Sequence, residues 1–237
     1  MTRGTAIVTG GAGTLGFAIG QALRAEGWPV LLVDLSESVT EAATRIGAEG
    51  WQADLTDADA RMALVGAVGK IGALVNCAGI GRVVPFFDTD EALWDAMLHV
   101  NLTVPMRLSQ AVARRMAETG GGSIVNIASV SGQQASRGRV AYGTSKAGLI
   151  HLTKQMAVEL AEHGIRCNAV APGPVEGPLA RHHPPEQRHR YLETIPQGRY
   201  AQAPEIAEAV RFLVSDGATH ITGHCLNVDG GWQVAGV

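Results

Sequence analysis

Cysteine is scarce in this 237-residue chain, which has three. Cys77, Cys167 and Cys225 lie far apart in apolar, strand-like stretches, which argues against a disulfide framework or a metal site and for buried thiols. Charge is sparse as well: 17% of residues are charged and the formal net charge is −3, so no basic face calls for nucleic acid or an anionic membrane. No apolar run is long enough to span a bilayer. Met1-Thr2-Arg3-Gly4 enters a strand without the regions of a signal peptide, so a cytoplasmic location is expected. Repeats, low-complexity tracts and domain boundaries are missing too. What is present is 46% hydrophobic residues, enough for a substantial core in one α/β domain of this length.

Tyrosine and lysine are also rare, with three of each. Yet Tyr142-Gly143-Thr144-Ser145-Lys146 sets one of each four residues apart, with Ser129 thirteen positions upstream. Residues i and i+4 share a helical face, so the ammonium can lie near the phenol. A cation about 4 Å away at an effective dielectric near 20 contributes about 4 kcal/mol, roughly three pKa units. That would bring the phenol toward neutrality, where general acid–base catalysis works best. A chance Tyr-x-x-x-Lys pair has a probability of about 4% here, so the pair needs company to count as a motif.

The company starts at Ala6-Ile7-Val8, an apolar run leading into Thr9-Gly10-Gly11-Ala12-Gly13-Thr14-Leu15-Gly16 and a helical pattern ending near Glu26-Gly27. Strand, glycine turn and helix in that order form a phosphate cradle, with free N–H groups and the positive helix end facing the anion. Pro29-Val30-Leu31-Leu32-Val33 then closes on Asp34, a carboxylate placed to accept from a ribose diol. The same carboxylate would repel a 2′-phosphate, and neither Leu35, Ser36 nor the turn supplies a cation, so NAD(H) is preferred over NADP(H). The competing reading of Asp34 is as N-cap of the next helix, a role open to Ser36 as well.

Strand and helix patterns alternate throughout, with strands near residues 5–9, 29–33, 50–53, 73–76, 122–127, 165–170 and 224–228. This predicts a doubly wound parallel sheet of about seven strands, helices on both faces, in a single domain over residues 1–237. Ligands in such sheets gather beyond the carboxyl ends of the strands, where Gly10, Asp34, Asn76 and Ser129 fall.

The chain resembles the short-chain dehydrogenase/reductase family over essentially its whole length. The matching elements, in order, are the glycine turn, Asp54-Leu55, Asn76-Cys77-Ala78-Gly79, Asn101, Ser129, Tyr142, Lys146, the segment Asn168 to Val175 with Pro172-Gly173, and Ile221-Thr222-Gly223-His224 through Val228-Asp229-Gly230-Gly231. The resemblance implies a Rossmann-type fold. It also implies that Ser129 hydrogen-bonds the reacting oxygen and Tyr142 exchanges a proton with it. Lys146 would lower the phenol pKa and bind the nicotinamide ribose, while the Asn101 backbone carbonyl would hold a relay water. Cofactor contacts are implied for Gly10, Gly13, Thr14, Leu15, Gly16, Asp34, Asp54, Leu55, Asn76, Ala78, Gly79, Tyr142, Lys146, Pro172, Gly173 and Val175. A homotetramer or homodimer is implied, pairing through helices around residues 90–117 and 142–162.

Two positions depart from the family's pattern. Thr14 stands where glycine is usual, so either its φ is negative or the turn is strained. Gly177 stands where threonine is common, which removes a hydroxyl beside the expected nicotinamide.

A substrate lid is expected near residues 177–203. It contains Arg181-His182-His183-Pro184-Pro185-Glu186-Gln187-Arg188-His189-Arg190, one acid among three arginines and three histidines. Two readings stand: a binding surface for an anionic substrate, since arginine recognises carboxylate, sulfonate and phosphate in bidentate fashion, or a solvated loop. Adjacent histidines without carboxylates do not make a metal site. Substrate contacts are expected from Ser129, Ser131, Gln133, Tyr142, Arg181 and Arg188, whereas Arg137 and Arg139 are read as facing a neighbouring subunit. The leading function is an NAD(H)-dependent oxidoreductase interconverting a secondary alcohol, polyol or hydroxy acid and its ketone. The alternatives are a 3-oxoacyl thioester reductase using NADPH and a non-catalytic nucleotide-binding regulatory or scaffold protein.

Overall fold

The computed structural model describes residues 3–177, 180 and 185–235. Its strands are β1 (Thr5–Thr9), β2 (Val30–Asp34), β3 (Glu49–Gln52), β4 (Ile71–Asn76), β5 (Gly122–Ile127), β6 (Ile165–Pro172) and β7 (Cys225–Val228). All pair in parallel, in the order β3-β2-β1-β4-β5-β6-β7. The helices described are α1 (Thr14–Ala25), α2 (Val39–Arg45), α3 (Ala58–Ala67), α4 (Glu91–Leu98), α5 (Val104–Glu118), α6 (Val140–Leu160), α7 (Pro185–Thr194) and α8 (Ala203–Val214). Strand order runs outward from β1 to β3, then restarts at β4 on the other side of β1. The crevice of a doubly wound sheet opens at that reversal, beyond the carboxyl ends of β1 and β4.

Side chains alternate faces along each strand. Ala6, Val8, Leu32, Val75, Val125 and Val170 point into one core with Ile19 and Leu23 of α1 and Ile206 and Val210 of α8. Ile7, Leu31, Val33, Leu74 and Ile124 point into the other, against Leu64 of α3, Leu108, Val112 and Met116 of α5 and Met156 of α6. Both faces being covered explains why the central strands read as unbroken apolar runs rather than alternating ones. Each fully buried leucine or isoleucine contributes roughly 1.5–3 kcal/mol. Cys167 lies inside the second core, while Cys77 and Cys225 are half-buried, and all three thiols are free.

A third, smaller cluster gathers Ala180, Ile195 and Tyr200 with Tyr191, Leu192 and Trp232. The Tyr191 ring meets those of Trp232 and Tyr200 edge-on, at centroid distances of 5.8 and 6.1 Å. This packing sets α7 over the carboxyl end of the sheet, where Val175 bridges to Ala201.

Candidate active site

The glycine turn has the geometry expected of a phosphate cradle. Gly10 has a φ of +69°, and a Cβ on Gly16 would lie 2.1 Å from the Gly10 carbonyl oxygen, so a side chain there would block the turn. Thr14 is the first residue of α1, and among the described residues no non-glycine residue has a positive φ, so the substitution at position 14 is accommodated without backbone strain. Gly13, the N-cap, offers no side chain to the first free N–H groups of the helix, which therefore face the crevice. A pyrophosphate fits this end.

Asp34 ends β2, and its carboxylate accepts from the backbone N–H of Ala12 and of Ser36, both at 3.0 Å. It ties the turn to β2 and does not cap α2, whose N-cap is Ser38. No arginine or lysine is hydrogen-bonded to it among the described residues.

Beyond β4 the backbone is fixed by two side chains. Thr9 accepts from the N–H groups of Cys77 and Ala78, both at 3.0 Å. Asn101 clamps Ile80 at both ends: its Oδ1 accepts from the Ile80 N–H at 2.9 Å, and its Nδ2 donates to the Ile80 carbonyl at 2.9 Å and to Ser145 Oγ at 3.1 Å. This holds Gly79 and Gly81 against the reactive side chains. A Cβ on Gly79 would lie 3.4 Å from Lys146 Nζ, and one on Gly81 would lie 3.3 Å from the Tyr142 ring. Asn101 itself sits in a π-helical turn, His99–Thr103, inserted between α4 and α5. Such turns interrupt the ordinary backbone ladder and recur at functional sites. The Thr9, Ile80 and Ser145 roles were not foreseen, since each depends on a contact between distant segments.

Ser129 follows β5, and its hydroxyl accepts from the Ser131 N–H at 3.1 Å. Tyr142 and Lys146 project from the first turns of α6, and the Ser129 hydroxyl stands near enough to the Tyr142 phenol to draw its pKa down. The Lys146 ammonium is buried, donates to the Ile127 carbonyl at 2.8 Å and stands 5.9 Å from the Tyr142 ring centroid. Burial drives the Lys146 pKa down to about 8, partly offset by Cys77, and burial pushes the Cys77 thiol up to about 12. The phenol pKa is not lowered as the spacing suggested. Burial raises it above 10, against the opposing pull of the Ser129 hydrogen bond and of Arg139. Desolvation outweighs both.

Other expected residues fall differently. Asn76 points inward: its amide donates to Ser109 Oγ at 3.0 Å and to Asn126 Oδ1 at 2.8 Å. Its side chain braces β4, β5 and α5 rather than facing the crevice. Leu55 is likewise buried in the second core, while Asp54 is held by Thr56 and lowered in pKa mainly by that side-chain hydrogen bond. Ala78 and Gly79 follow β4, Pro172 ends β6 and Gly173 and Val175 lie just beyond it, with the Gly173 N–H donating to the Val228 carbonyl.

Ser131 and Gln133 line a cavity of about 870 Å³ with Val83, Phe86, Arg137 and Arg139. Gln133 nevertheless directs its amide to Cys225 Sγ and Asn227 Oδ1, at 3.1 and 2.8 Å. Arg188 is engaged by Glu176 and lies over the Tyr200 ring, 4.5 Å from its centroid, so its guanidinium is already partnered rather than open to an anion. Arg181, His182 and His183 lie outside the described residues. Among the described residues no cluster of histidine, cysteine and carboxylate side chains is suited to a metal, and no helix is long and apolar enough to cross a membrane.

The likeness to known proteins agrees with this geometry. A family model described as Enoyl-(Acyl carrier protein) reductase matches residues 10–233. Among relatives, the 3-oxoacyl-(acyl-carrier-protein) reductase FabG of Thermotoga maritima is 36% identical, over 95% of this chain and 96% of its own. The D-threitol dehydrogenase of Mycolicibacterium smegmatis is 38% identical, over 97% of this chain and 92% of its own. A crystal structure of a protein from Sinorhizobium meliloti 1021, provisionally described as a short-chain alcohol dehydrogenase, superposes with a TM-score of 0.92 at 35% identity, covering 99% of this chain and 98% of that one. With the serine, tyrosine and lysine gathered at the carboxyl end of a doubly wound sheet beside an uncapped glycine turn, the chain belongs to the short-chain dehydrogenase/reductase family of oxidoreductases.

Proposed function

We propose that this protein is an NAD(H)-dependent dehydrogenase of a secondary alcohol, with polyols the leading substrate class. The observation carrying the cofactor choice is the Asp34 carboxylate at the end of β2, tied to the glycine turn through Ala12 and free of any neutralising cation among the described residues. It accepts from a ribose diol and repels a 2′-phosphate. Gly10, Gly13, Thr14, Leu15 and Gly16 would hold the pyrophosphate, and Ala78, Gly79, Lys146, Pro172, Gly173 and Val175 the nicotinamide half. When bound, the dinucleotide supplies a hydride donor or acceptor at the nicotinamide ring. Ser129 donates a hydrogen bond to the substrate oxygen and Tyr142 takes or gives its proton. Lys146 and the Asn101 turn carry that proton toward solvent. The 177–203 segment serves as the lid, and the working unit is a homotetramer or homodimer in the cytoplasm.

The polyol preference rests on the threitol dehydrogenase relative. Arg188, paired with Glu176, gives an anionic substrate no support. A second reading, 3-oxoacyl thioester reduction, is favoured by the FabG relative and opposed by Asp34. The discriminating assay follows nicotinamide absorbance with NAD⁺ and NADP⁺ across polyols and simple secondary alcohols, and with NADH and NADPH on an acetoacetyl thioester. Turnover confined to NAD⁺ and alcohols supports the first reading, while NADPH-dependent thioester reduction replaces it with the second. Tight NADH binding without turnover on any substrate would favour a non-catalytic protein.

A further inference from the structure

The 870 Å³ cavity is bordered by cations and apolar side chains and, among the described residues, by no acid. Arg137 and Arg139 share its lining with Val83, Pro85 and Phe86. In a chain of net charge −3 that is a local excess of positive charge. The two lining segments are fastened together: the Val84 N–H donates to the Gly138 carbonyl at 2.9 Å, and a Cβ on Gly138 would lie 2.7 Å from Val83 Cγ1. A cavity of this size, largely apolar with a few polar groups, is the usual form of a small-molecule site. Its lining also takes in Ser131 and Gly143, chain neighbours of Ser129 and Tyr142, so it runs alongside the reactive groups. Arg139 joins the two: it is the N-cap of α6, and its guanidinium stands 5.4 Å from the Tyr142 ring centroid. It turns toward that ring rather than out toward a neighbouring subunit.

We propose that Arg139 is a specificity-determining residue whose guanidinium receives a carboxylate of the substrate while Tyr142 meets the substrate hydroxyl. The inference rests on the dehydrogenase function proposed above and narrows its alcohols and polyols to those that carry a carboxylate.

Arg139 is open to an anion where other arginines are not. Arg188, Arg199 and Arg211 are each closed by a glutamate. Arg139 is half-buried and makes no ion pair or side-chain hydrogen bond among the described residues. A partly desolvated guanidinium without an acid gains more from a carboxylate than a solvated one does, and its planar fork binds both oxygens at once. Position limits the length of the ligand. With the guanidinium this close to the ring that carries the phenol, two hydrogen bonds of about 2.8 Å each leave room for only a short spacer between hydroxyl and carboxylate. A 2- or 3-hydroxy acid has that length, and Val83, Pro85 and Phe86 offer apolar surface to the rest of its carbon chain.

The test compares acids with their amides, which match them in size and carry no charge. NAD⁺ reduction is followed with 2-, 3- and 4-hydroxypentanoate and the corresponding hydroxypentanamides, and with an aldonate beside its parent alditol. The native chain should favour acid over amide in kcat/KM by at least about tenfold, chiefly through KM. That ratio should fall toward one in Arg139→Gln and be partly kept in Arg139→Lys, which retains the charge without the fork. Arg139→Met serves as the neutral variant if the glutamine one does not fold. Neutral alcohols outperforming every acid in the native chain overturn the proposal and leave the dehydrogenase standing, and a ratio unchanged in the neutral variants overturns it too. If no alcohol is oxidised, the dehydrogenase reading fails, and calorimetric titration of the same hydroxypentanoates into native and Arg139→Gln protein decides the carboxylate site by itself. A loss of affinity of about tenfold supports it, whereas equal affinity, or no binding to either protein, overturns it.

Discussion

Thr14 and Gly177, the two positions at which the chain departs from the family pattern, face each other. A Cβ built on Gly177 would lie 3.6 Å from Thr14 Oγ1, 3.7 Å from its Cγ2 and 3.9 Å from its Cβ. The side chain absent from the β6 loop is thus matched by one present on the first turn of α1.

That complementarity is testable by exchange. Gly177→Thr would drive branched γ atoms into the space of the Thr14 side chain, an overpacking of the kind that costs about 1–3 kcal/mol. NADH affinity, followed by nicotinamide fluorescence, should fall roughly tenfold. Adding Thr14→Gly should recover most of the loss. A double variant no better than Gly177→Thr alone would show that the two positions do not share a space.

Tyr142→Phe should leave NADH affinity within about twofold of the native chain, because the phenol oxygen is not among the phosphate-holding groups. Loss of a general acid or base should lower kcat at least about a hundredfold. Single-turnover kinetics with saturating cofactor separates this from a binding defect.

Cofactor preference should follow charge at the end of β2. Leu35 is exposed, and its carbonyl already accepts from Gln52, so its side chain can be replaced without disturbing the core. Asp34→Ala with Leu35→Arg should move the NADP⁺ to NAD⁺ ratio of kcat/KM by about tenfold or more, roughly 1.4 kcal/mol. An unchanged ratio would assign the choice to other residues.

Lys146 makes stability depend on pH in a predictable direction. Its pKa is near 8 when folded and 10.5 when unfolded, so between those values the unfolded chain binds more protons and stability rises with pH. The penalty for the buried ammonium is fully present below pH 8 and is relieved through the window from 8 to 10.5. Lys146→Met should therefore exceed the native chain in ligand-free stability at pH 7, by an amount of order 3 kcal/mol, and the difference should shrink as pH rises. Urea melts of both proteins at several pH values read this directly. Taking the difference cancels the opposite trend from Cys167, whose raised pKa lowers stability above pH 9, while Cys77, coupled to Lys146, adds to the difference there.

Asn101→Leu should cost roughly 3 kcal/mol of stability, since it strands both the N–H and the carbonyl of Ile80. Activity should fall as well, because Gly79 and Gly81 lose the support that holds them against Lys146 and Tyr142.

The parallel doubly wound sheet and the local arrangement of the glycine turn and the Tyr142–Lys146 pair were legible from local features. Strands buried on both faces read as apolar runs, the turn between β1 and α1 needs glycine at Gly10 and Gly16 for local steric reasons, and Tyr142 and Lys146 are brought together by one turn of helix. Every expected strand was found, with ends within two residues of those observed. The expectations that changed depend on contacts across the chain. Asn76 ends its strand where a ligand would meet it, yet its amide turns inward because Ser109 and Asn126, on other elements, offer partners. Arg188 reads as an open cation until folding sets Glu176 and Tyr200 beside it.

The sequence by itself therefore determined the doubly wound fold, the glycine turn ahead of α1 and the closeness of Tyr142 to Lys146, because backbone sterics and helical spacing act over a few residues. Tertiary structure decided which polar groups face the crevice, the clamp of Asn101 on Ile80, the fit of Thr14 to Gly177 and the ionisation of Tyr142 and Lys146. Those properties follow from desolvation and from partners distant in the chain, and neither is set until the elements pack.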